Sequence, residues 1–146
     1  MKNIGTVLLG GVLLLLLHAC SSKKEQALVR RWYVGDVIFI DDEKSIVQSD
    51  SMQGNMLVRQ RAALRDVLMK NLYEFKEDGT YITGNAAGSA TGQWELNASS
   101  ITFKSDQTDK PEKNISFEHL SEDSLVLLFN KDQSSVKIKL KLLPVQ

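Results

Sequence analysis

The sequence predicts a mainly β fold: an eight-stranded antiparallel up-and-down meander that closes into a small barrel, with one amphipathic helix between strands 1 and 2. Two observations predict it. Short segments rich in β-branched and aromatic residues recur at regular spacing, and clusters of Gly, Asn, Asp and Ser separate them. After the first segment, the spacing of apolar residues changes from that of a strand to that of a helix. Barrel closure removes the two unpaired edges that such a meander would otherwise expose.

The first strand is predicted over residues 31–40, which are rich in aromatic and β-branched side chains and are followed by a polar loop. From about residue 52 to residue 71, apolar side chains recur at helical intervals. Arginines and other polar residues occupy the remaining positions, which is typical of an amphipathic helix. The apolar positions are Met52, Met56, Leu57, Ala63, Leu64, Val67 and Leu68.

Seven further strands are predicted after the helix, and each is separated from the next by a turn or a polar loop. The sequence Glu77-Asp78-Gly79 is typical of a tight hairpin turn, and other clusters of small polar residues separate the later strands. The predicted strands are residues 72–76, 80–84, 90–96, 100–104, 114–120, 124–130 and 135–143.

One face of each strand can be assigned by the period-two alternation of side chains. The side chains assigned to the interior are nearly all large, and eight strands enclose a space that such side chains fill. We therefore expect a mostly filled barrel without a deep pocket, with a shallow site at an open end near the helix as the alternative. The interior set is Trp32, Val34, Ile38, Tyr73, Phe75, Tyr81, Trp94, Leu96, Ile101, Phe103, Ile115, Phe117, Leu125, Leu127, Phe129, Val136, Ile138, Leu140 and Leu142.

The N-terminal segment indicates where the protein works. After Lys2 comes an apolar run over residues 4–17, which is too short for a comfortable membrane span. The run ends in Leu17-His18-Ala19-Cys20, which resembles the lipobox of bacterial lipoprotein signal peptides, with His18 at a position where a small residue is usual. The resemblance implies that residues 1–19 are removed and that lipid, palmitate included, on Cys20 anchors the protein stably to a membrane. The alternatives are a signal peptide with an incidental cysteine, or an N-terminal anchor helix.

This interpretation divides the chain into a signal peptide over residues 1–19, a lipidated cysteine with a polar tether over residues 20–27, and a barrel domain over residues 28–146. Ser21 follows the cysteine where an aspartate would favour retention in the inner membrane. We therefore expect an outer-membrane lipoprotein of the bacterial cell envelope that faces the periplasm, with surface display as the alternative.

Composition excludes several classes of function. The chain has 18 basic and 18 acidic residues, so it lacks the charge excess expected of a nucleic-acid-binding protein. Removal of the signal leaves His119 as the only histidine and Cys20 as the only cysteine. These counts exclude a disulfide, a site built from two histidines and most zinc sites, and they remove most general bases. We predict no catalytic residues, no metal, no cofactor and no enzymatic activity.

Four stretches, taken in order, resemble the lipocalin-like domains of bacterial lipoproteins. They are a first strand bearing Trp32, residues 73–81, residues 92–96 followed by 101–103, and residues 120–127. The resemblance implies an up-and-down barrel with a binding or structural role. The chain departs from true lipocalins at Arg30, where they have a glycine, in the lysines of its last strand and in the position of its helix.

The candidate ligand-binding residues are Trp32, Asp36, Tyr73, Tyr81, Trp94 and His119. Alternation places Asp36 on the interior face, where a buried carboxylate would need a partner or a raised pKa; a bulge that turns it outward is the alternative. Alternation places His119 on the same interior face as Ile115 and Phe117. There it is either a half-buried structural histidine or, less commonly, a residue that binds a ligand.

Three other groups of charged residues each have two interpretations. Asp41, Asp42 and Glu43, with Asp50, are either a calcium site or a solvated acidic turn. The stripe of Lys137, Lys139 and Lys141 either contacts lipid head groups or an acidic partner, or is the solvent face of the last strand. The helix arginines Arg59, Arg61 and Arg65 have the same two interpretations.

Two functions of different classes follow from these observations. The first is a membrane-anchored lipoprotein whose lipocalin-like barrel binds a small apolar ligand, with the helix over one barrel end as a gate. The alternative is a non-enzymatic interaction module, or accessory subunit, that docks on another envelope protein through the lysine strand or the helix.

Overall fold

The computed structural model describes residues 22–40, 52–130 and 137–146, which form a closed eight-stranded antiparallel barrel with two helices. This confirms the predicted fold class, including the helix between strands 1 and 2. Cys20, the acidic residues of 41–50 and Val136 lie outside the described residues. The elements are α1 (Lys23–Leu28), β1 (Arg31–Ile40), α2 (Met52–Leu68), β2 (Leu72–Phe75), β3 (Thr80–Asn85), β4 (Gly88–Leu96), β5 (Ser100–Ser105), β6 (Lys113–Leu120), β7 (Leu125–Asn130) and β8 (Lys137–Pro144).

Each strand pairs antiparallel with the next along the chain, and β8 returns to pair with β1. Gly79 adopts a positive φ of 81° in the β2–β3 turn, which explains the glycine there. The barrel end at which β1 begins, with Arg31, is called the α1 end. The opposite end, at which β1 finishes with Ile40, is called the α2 end. The β2–β3, β4–β5 and β6–β7 hairpins therefore lie at the α1 end.

Large apolar side chains fill the barrel interior, as predicted. Phe75 lies between Trp94 and Phe103, with ring centroids 5.8 and 5.9 Å away, and Tyr81 meets Phe103 edge-on at 5.1 Å. Gly92 lets Tyr81 approach closely, because a Cβ there would collide with the Lys104 carbonyl and the Tyr81 ring. The buried core is Leu28, Trp32, Val34, Val37, Tyr73, Phe75, Tyr81, Ile101, Phe103, Leu125, Leu127, Leu140 and Leu142.

Residues 23–28, most of which the sequence interpretation assigned to a polar tether, form a helix. The Ser22 side chain caps the helix by accepting a hydrogen bond from the Glu25 backbone N–H, and the Glu25 carboxylate accepts one from the Ser22 N–H. Ala27 and Leu28 are buried, Leu28 completely. Their burial holds a six-residue helix that would not be stable alone.

Two β-bulges correct the period-two assignment of side chains. In β1 the register shifts between Val34 and Asp36, so Val37 lies in the core and Ile38 is 46 % exposed. The prediction of an interior Ile38 was therefore wrong. In β6 the register shifts between Phe117 and His119. An extra residue in one strand reverses the face of every side chain that follows it.

The second helix is present as predicted, but its apolar positions are largely exposed. Among the helix side chains that the structure describes, only Leu68, at the C-terminal end, packs against the core. Within the described ranges, neither helix combines the length and the apolar character that crossing a membrane requires.

Candidate functional site

The α1 end of the barrel is closed by apolar packing. Leu28 and Trp32 are completely buried, and the Trp32 indole Nε1–H donates to the Leu28 carbonyl at 3.0 Å. Trp94 is half-buried, and its Nε1–H donates to the Lys76 carbonyl at 3.2 Å. Both tryptophans of the predicted ligand site therefore have structural partners at this end.

A shallow groove of about 430 Å³ lies beside α1 at the same end. Charged side chains of both signs line the groove and lie side by side: Arg31 Nε is 3.7 Å from Glu74 Oε2. Arg30 Nη1 donates to the Glu122 carbonyl at 2.7 Å, and the guanidinium lies over the Trp32 ring. Such a surface does not suit an apolar ligand. The groove residues are Val29, Arg30, Arg31, Glu74, Phe75, Lys76, Glu77 and Asp78.

The two tyrosines of the predicted site lie in the barrel core. Burial raises the pKa of Tyr73, while a hydrogen bond with Thr83 lowers it by less. Burial, and then the charge of Asp106, raises the pKa of Tyr81. Both phenols therefore stay neutral at physiological pH, and their rings form part of the filled interior.

The two polar candidates lie outside the barrel. The bulge in β1 turns Asp36 outward, which decides between the two interpretations of that residue. The bulge in β6 turns His119 outward, where its Nε2 lies 3.1 Å from Ser121 Oγ; the inward orientation expected for His119 was wrong. The structure thus separates the six candidates into three buried core aromatics, the half-buried Trp94 and two outer polar residues, and these do not converge on one cavity.

The outward face of β8 carries Lys137, Lys139 and Lys141, as the alternation predicted. Lys139 Nζ forms an ion pair with Glu118 Oε2 at 2.7 Å. Glu118 is the extra residue of the β6 bulge, so this bulge brings a carboxylate toward the lysine strand.

Apart from the contact of Leu68 with the core, helix α2 is attached to the barrel through arginines rather than through its apolar positions. Arg65 Nη2 donates to Asp36 Oδ1 at 2.6 Å, and Nη1 donates to the Val37 carbonyl at 3.1 Å. The Arg61 guanidinium lies over the Phe39 ring, 5.6 Å from its centroid. Because β2 pairs with β1 only up to Tyr33, these contacts reach a part of β1 that β2 does not cover.

The apolar arc of α2 faces solvent. Met56, Leu57, Leu64 and Val67, which we call the α2 stripe, occupy neighbouring positions on a helical projection. Met56 is 62 % and Val67 55 % exposed, and the two leucines are each 37 % exposed. Other exposed large apolar side chains are Val58, Met69 and Leu72 on or just after the helix, and Tyr33 and Ile38 on β1. Exposed apolar side chains concentrated in one region are typical of an interaction surface.

Inside the α2 end, three apolar side chains are only half-buried. Phe39 of β1 and Phe129 of β7 lie opposite Ile138 of β8, and all three pack against the core. This end of the interior is therefore apolar and less enclosed than the α1 end.

Within residues 22–40, 52–130 and 137–146, no group of three or more His, Cys, Asp or Glu side chains is placed to hold a metal ion. The suggested calcium site of Asp41, Asp42, Glu43 and Asp50 lies outside these ranges.

Helix α1 and the contact of Arg65 with Asp36 were not predicted from the sequence. The α1 helix has a recognisable signal, because Ser22-Lys23-Lys24-Glu25 matches the capping box S-x-x-E. The docking role of Arg65 has no such signal, since it depends on the bulge that turns Asp36 outward.

The strand order defines an eight-stranded up-and-down barrel, the architecture of lipocalin-like domains. No protein-family model matches the chain, and no curated protein matches it. Among solved structures, it is similar to a DUF4847 family protein from Bacteroides vulgatus ATCC 8482, with a TM-score of 0.49, 15 % identity, and coverage of 82 % of this chain and 96 % of that one. It is also similar to a lipocalin-like protein from Bacteroides uniformis ATCC 8492, with a TM-score of 0.48, 13 % identity, and coverage of 82 % and 99 %.

Proposed function

We propose that the protein is a non-enzymatic lipoprotein of the bacterial envelope, anchored in the outer membrane through Cys20, that binds another envelope protein through helix α2. The observation that carries this proposal is the orientation of α2. Its arginines attach it to β1, while the α2 stripe stays in solvent. Exposed apolar side chains give up water favourably when a partner covers them, at about 25 cal/mol per Å² of apolar surface.

The chemistry of the helix specifies the kind of partner surface that would fit. Arg59 lies three residues after Met56, so it borders the α2 stripe on the same face of the helix. A complementary surface would be an apolar groove with a carboxylate at its edge. An amphipathic helix that lies in a groove is a common mode of protein recognition.

Site-specific photo-crosslinking in the native host tests this proposal. A photoreactive amino acid replaces Val67 in the α2 stripe, and, as the matched control, Asp109 in the exposed β5–β6 loop. We expect one discrete protein adduct from position 67 and none from position 109. The adduct should disappear when Leu57 and Leu64 are both replaced by serine. Adducts to lipid, or the same adducts from both positions, would contradict the proposal.

A second candidate function is the binding of a small apolar ligand at the α2 end. The half-buried Phe39, Phe129 and Ile138 favour it, because they leave an apolar interior surface incompletely covered. Native mass spectrometry of the chain from Ser21 onward, purified gently from its own host, distinguishes the two candidates. A retained small mass that Phe129→Ala removes and Ile38→Ala keeps would support the ligand site, since Ile38 faces outward. A clean apo mass would reject it.

A further inference from the structure

The distance between the lipid anchor and the folded barrel is very short. The first described residue, Ser22, is the N-cap of α1, and only Ser21 separates it from Cys20. A trans peptide chain spans at most about 3.6 Å per residue, so the Cα atoms of Cys20 and Ser22 are at most about 7 Å apart in any conformation. A free tether over residues 20–27 would span about 25 Å by the same measure.

Helix α1 is fixed to the barrel, so it cannot act as part of a free tether. Leu28 is completely buried, and its carbonyl accepts a hydrogen bond from Trp32. Lys24 Nζ donates to the carbonyl of Ala98 in the β4–β5 turn, at 3.2 Å. The same ammonium group lies over the Phe117 ring of β6, 5.5 Å from its centroid. The helix is therefore connected to three separate parts of the α1 end.

We propose that the α1 end of the barrel rests on the lipid bilayer surface, so that α1 and the β4–β5 and β6–β7 turns contact lipid head groups. This inference rests on the proposed lipid anchor at Cys20. Because the anchor lies within about 7 Å of a fixed helix cap, the bilayer interface cannot be far from the α1 end.

The orientation also places the α2 stripe relative to the membrane. β1 has ten residues, which at about 3.3 Å per residue and a tilt of about 40° give a barrel height of about 25 Å. The contacts of α2 with β1 begin at Asp36, in the half of the strand away from the anchor. This part of α2 is thus held away from lipid, on the side from which an envelope protein can approach.

Spin labels at the two ends of the barrel test the orientation in the full lipidated protein. Cys20 is the only natural cysteine and carries the lipid, so an introduced cysteine is the only free thiol. Glu122→Cys places a label in the β6–β7 turn at the α1 end, and Ala87→Cys places the matched label in the β3–β4 turn at the opposite end; both side chains are exposed. The protein is reconstituted in phosphatidylcholine vesicles that contain a nickel-chelating lipid, and relaxation of each label by the nickel is measured.

We expect the nickel to relax the label at position 122 several-fold more than the label at position 87. Insertion of about eight Gly and Ser residues between Ser21 and Ser22 should reduce this difference, because a flexible linker removes the distance constraint. Equal relaxation at the two ends without the insertion would overturn the orientation but leave the anchor intact. Failure to bind vesicles, together with a mass spectrum without acyl chains, would overturn the proposed anchor and the orientation with it.

Discussion

The two helices are attached to the same barrel by different physical means. Helix α1 has six residues and buries its C-terminal Leu28 completely in the core. Helix α2 has seventeen residues, yet it is attached mainly by Arg61 and Arg65, and the α2 stripe is exposed. The comparison shows that an amphipathic pattern predicts a helix without specifying which of its faces meets the rest of the molecule.

The two attachments also differ in strength. Complete burial of a leucine side chain contributes about 1.5–3 kcal/mol. A partly exposed ion pair such as Arg65–Asp36, whose side chains are 48 % and 40 % exposed, contributes about 0–1 kcal/mol. We therefore expect the α1 end to be part of the cooperative core, whereas α2 can detach while the barrel stays folded.

The largest expected effect is that of Leu28→Ala, which should lower the free energy of unfolding by about 2–5 kcal/mol because it leaves a cavity in a filled core. The matched control is Leu64→Ala in the α2 stripe, which should change it by no more than about 0.5 kcal/mol. Urea unfolding of the chain from Ser21 onward measures both. Equal losses from the two variants would contradict the proposed difference between the helices.

The next largest effect on the free energy of unfolding is expected from Trp32→Phe, and Trp94→Phe at the same end of the barrel is its matched control. Trp32→Phe removes the donor that satisfies the buried Leu28 carbonyl and should cost about 1–3 kcal/mol. Trp94→Phe removes the hydrogen bond from the half-buried Trp94 to the Lys76 carbonyl, which water can replace, and should cost about 1 kcal/mol or less. The same unfolding measurement compares them. If Trp94→Phe proved the more costly, the connection between α1 and β1 would not be the main stabilising feature of this end.

A smaller effect on global stability is expected from Arg65→Ala, about 1 kcal/mol or less. Hydrogen exchange of the α2 backbone amides should nevertheless become faster, because the helix loses its contacts with Asp36 and Val37. Arg59→Ala, on an exposed position of the same helix, is the control and should leave exchange unchanged. Accelerated exchange throughout the barrel would show instead that α2 unfolds together with the core.

A comparably small effect at neutral pH is expected from Tyr73→Phe, which removes the hydrogen bond with Thr83 at a cost of about 1 kcal/mol. Burial raises the pKa of Tyr73 in the folded state, so the unfolded chain ionises first, near pH 10. The native protein should therefore lose stability as the pH rises above that value, and Tyr73→Phe should lose less. Urea unfolding between neutral pH and pH 11 measures how steeply the free energy of unfolding falls with pH in each protein. An identical pH dependence in the two proteins would contradict burial of the Tyr73 hydroxyl.

Much of the fold could be predicted because its signals are local. The first strand was predicted at residues 31–40 and is found at Arg31–Ile40, and the helix that follows begins at residue 52 as predicted. The interior position of Trp32 also follows from alternation alone. Helix α1 was not predicted because the apolar content of residues 23–28 is low, although the capping box marks its start.

The candidate site could be predicted only in part. Tyr73 and Tyr81 were expected inside the barrel and lie there, but they pack in its core. Asp36 and His119 lie outside, because a bulge precedes each of them. A bulge depends on how one strand pairs with another that is distant in the chain, so a count along a single strand cannot detect it.

The sequence by itself determined the number of strands, their order and the mainly apolar interior, because turn residues and side-chain alternation act over a few neighbouring residues. Tertiary structure alone decided which polar residues face outward and which face of α2 meets the barrel. These outcomes depend on strand register and on contacts such as Arg65 with Asp36, which join residues that are twenty-nine positions apart.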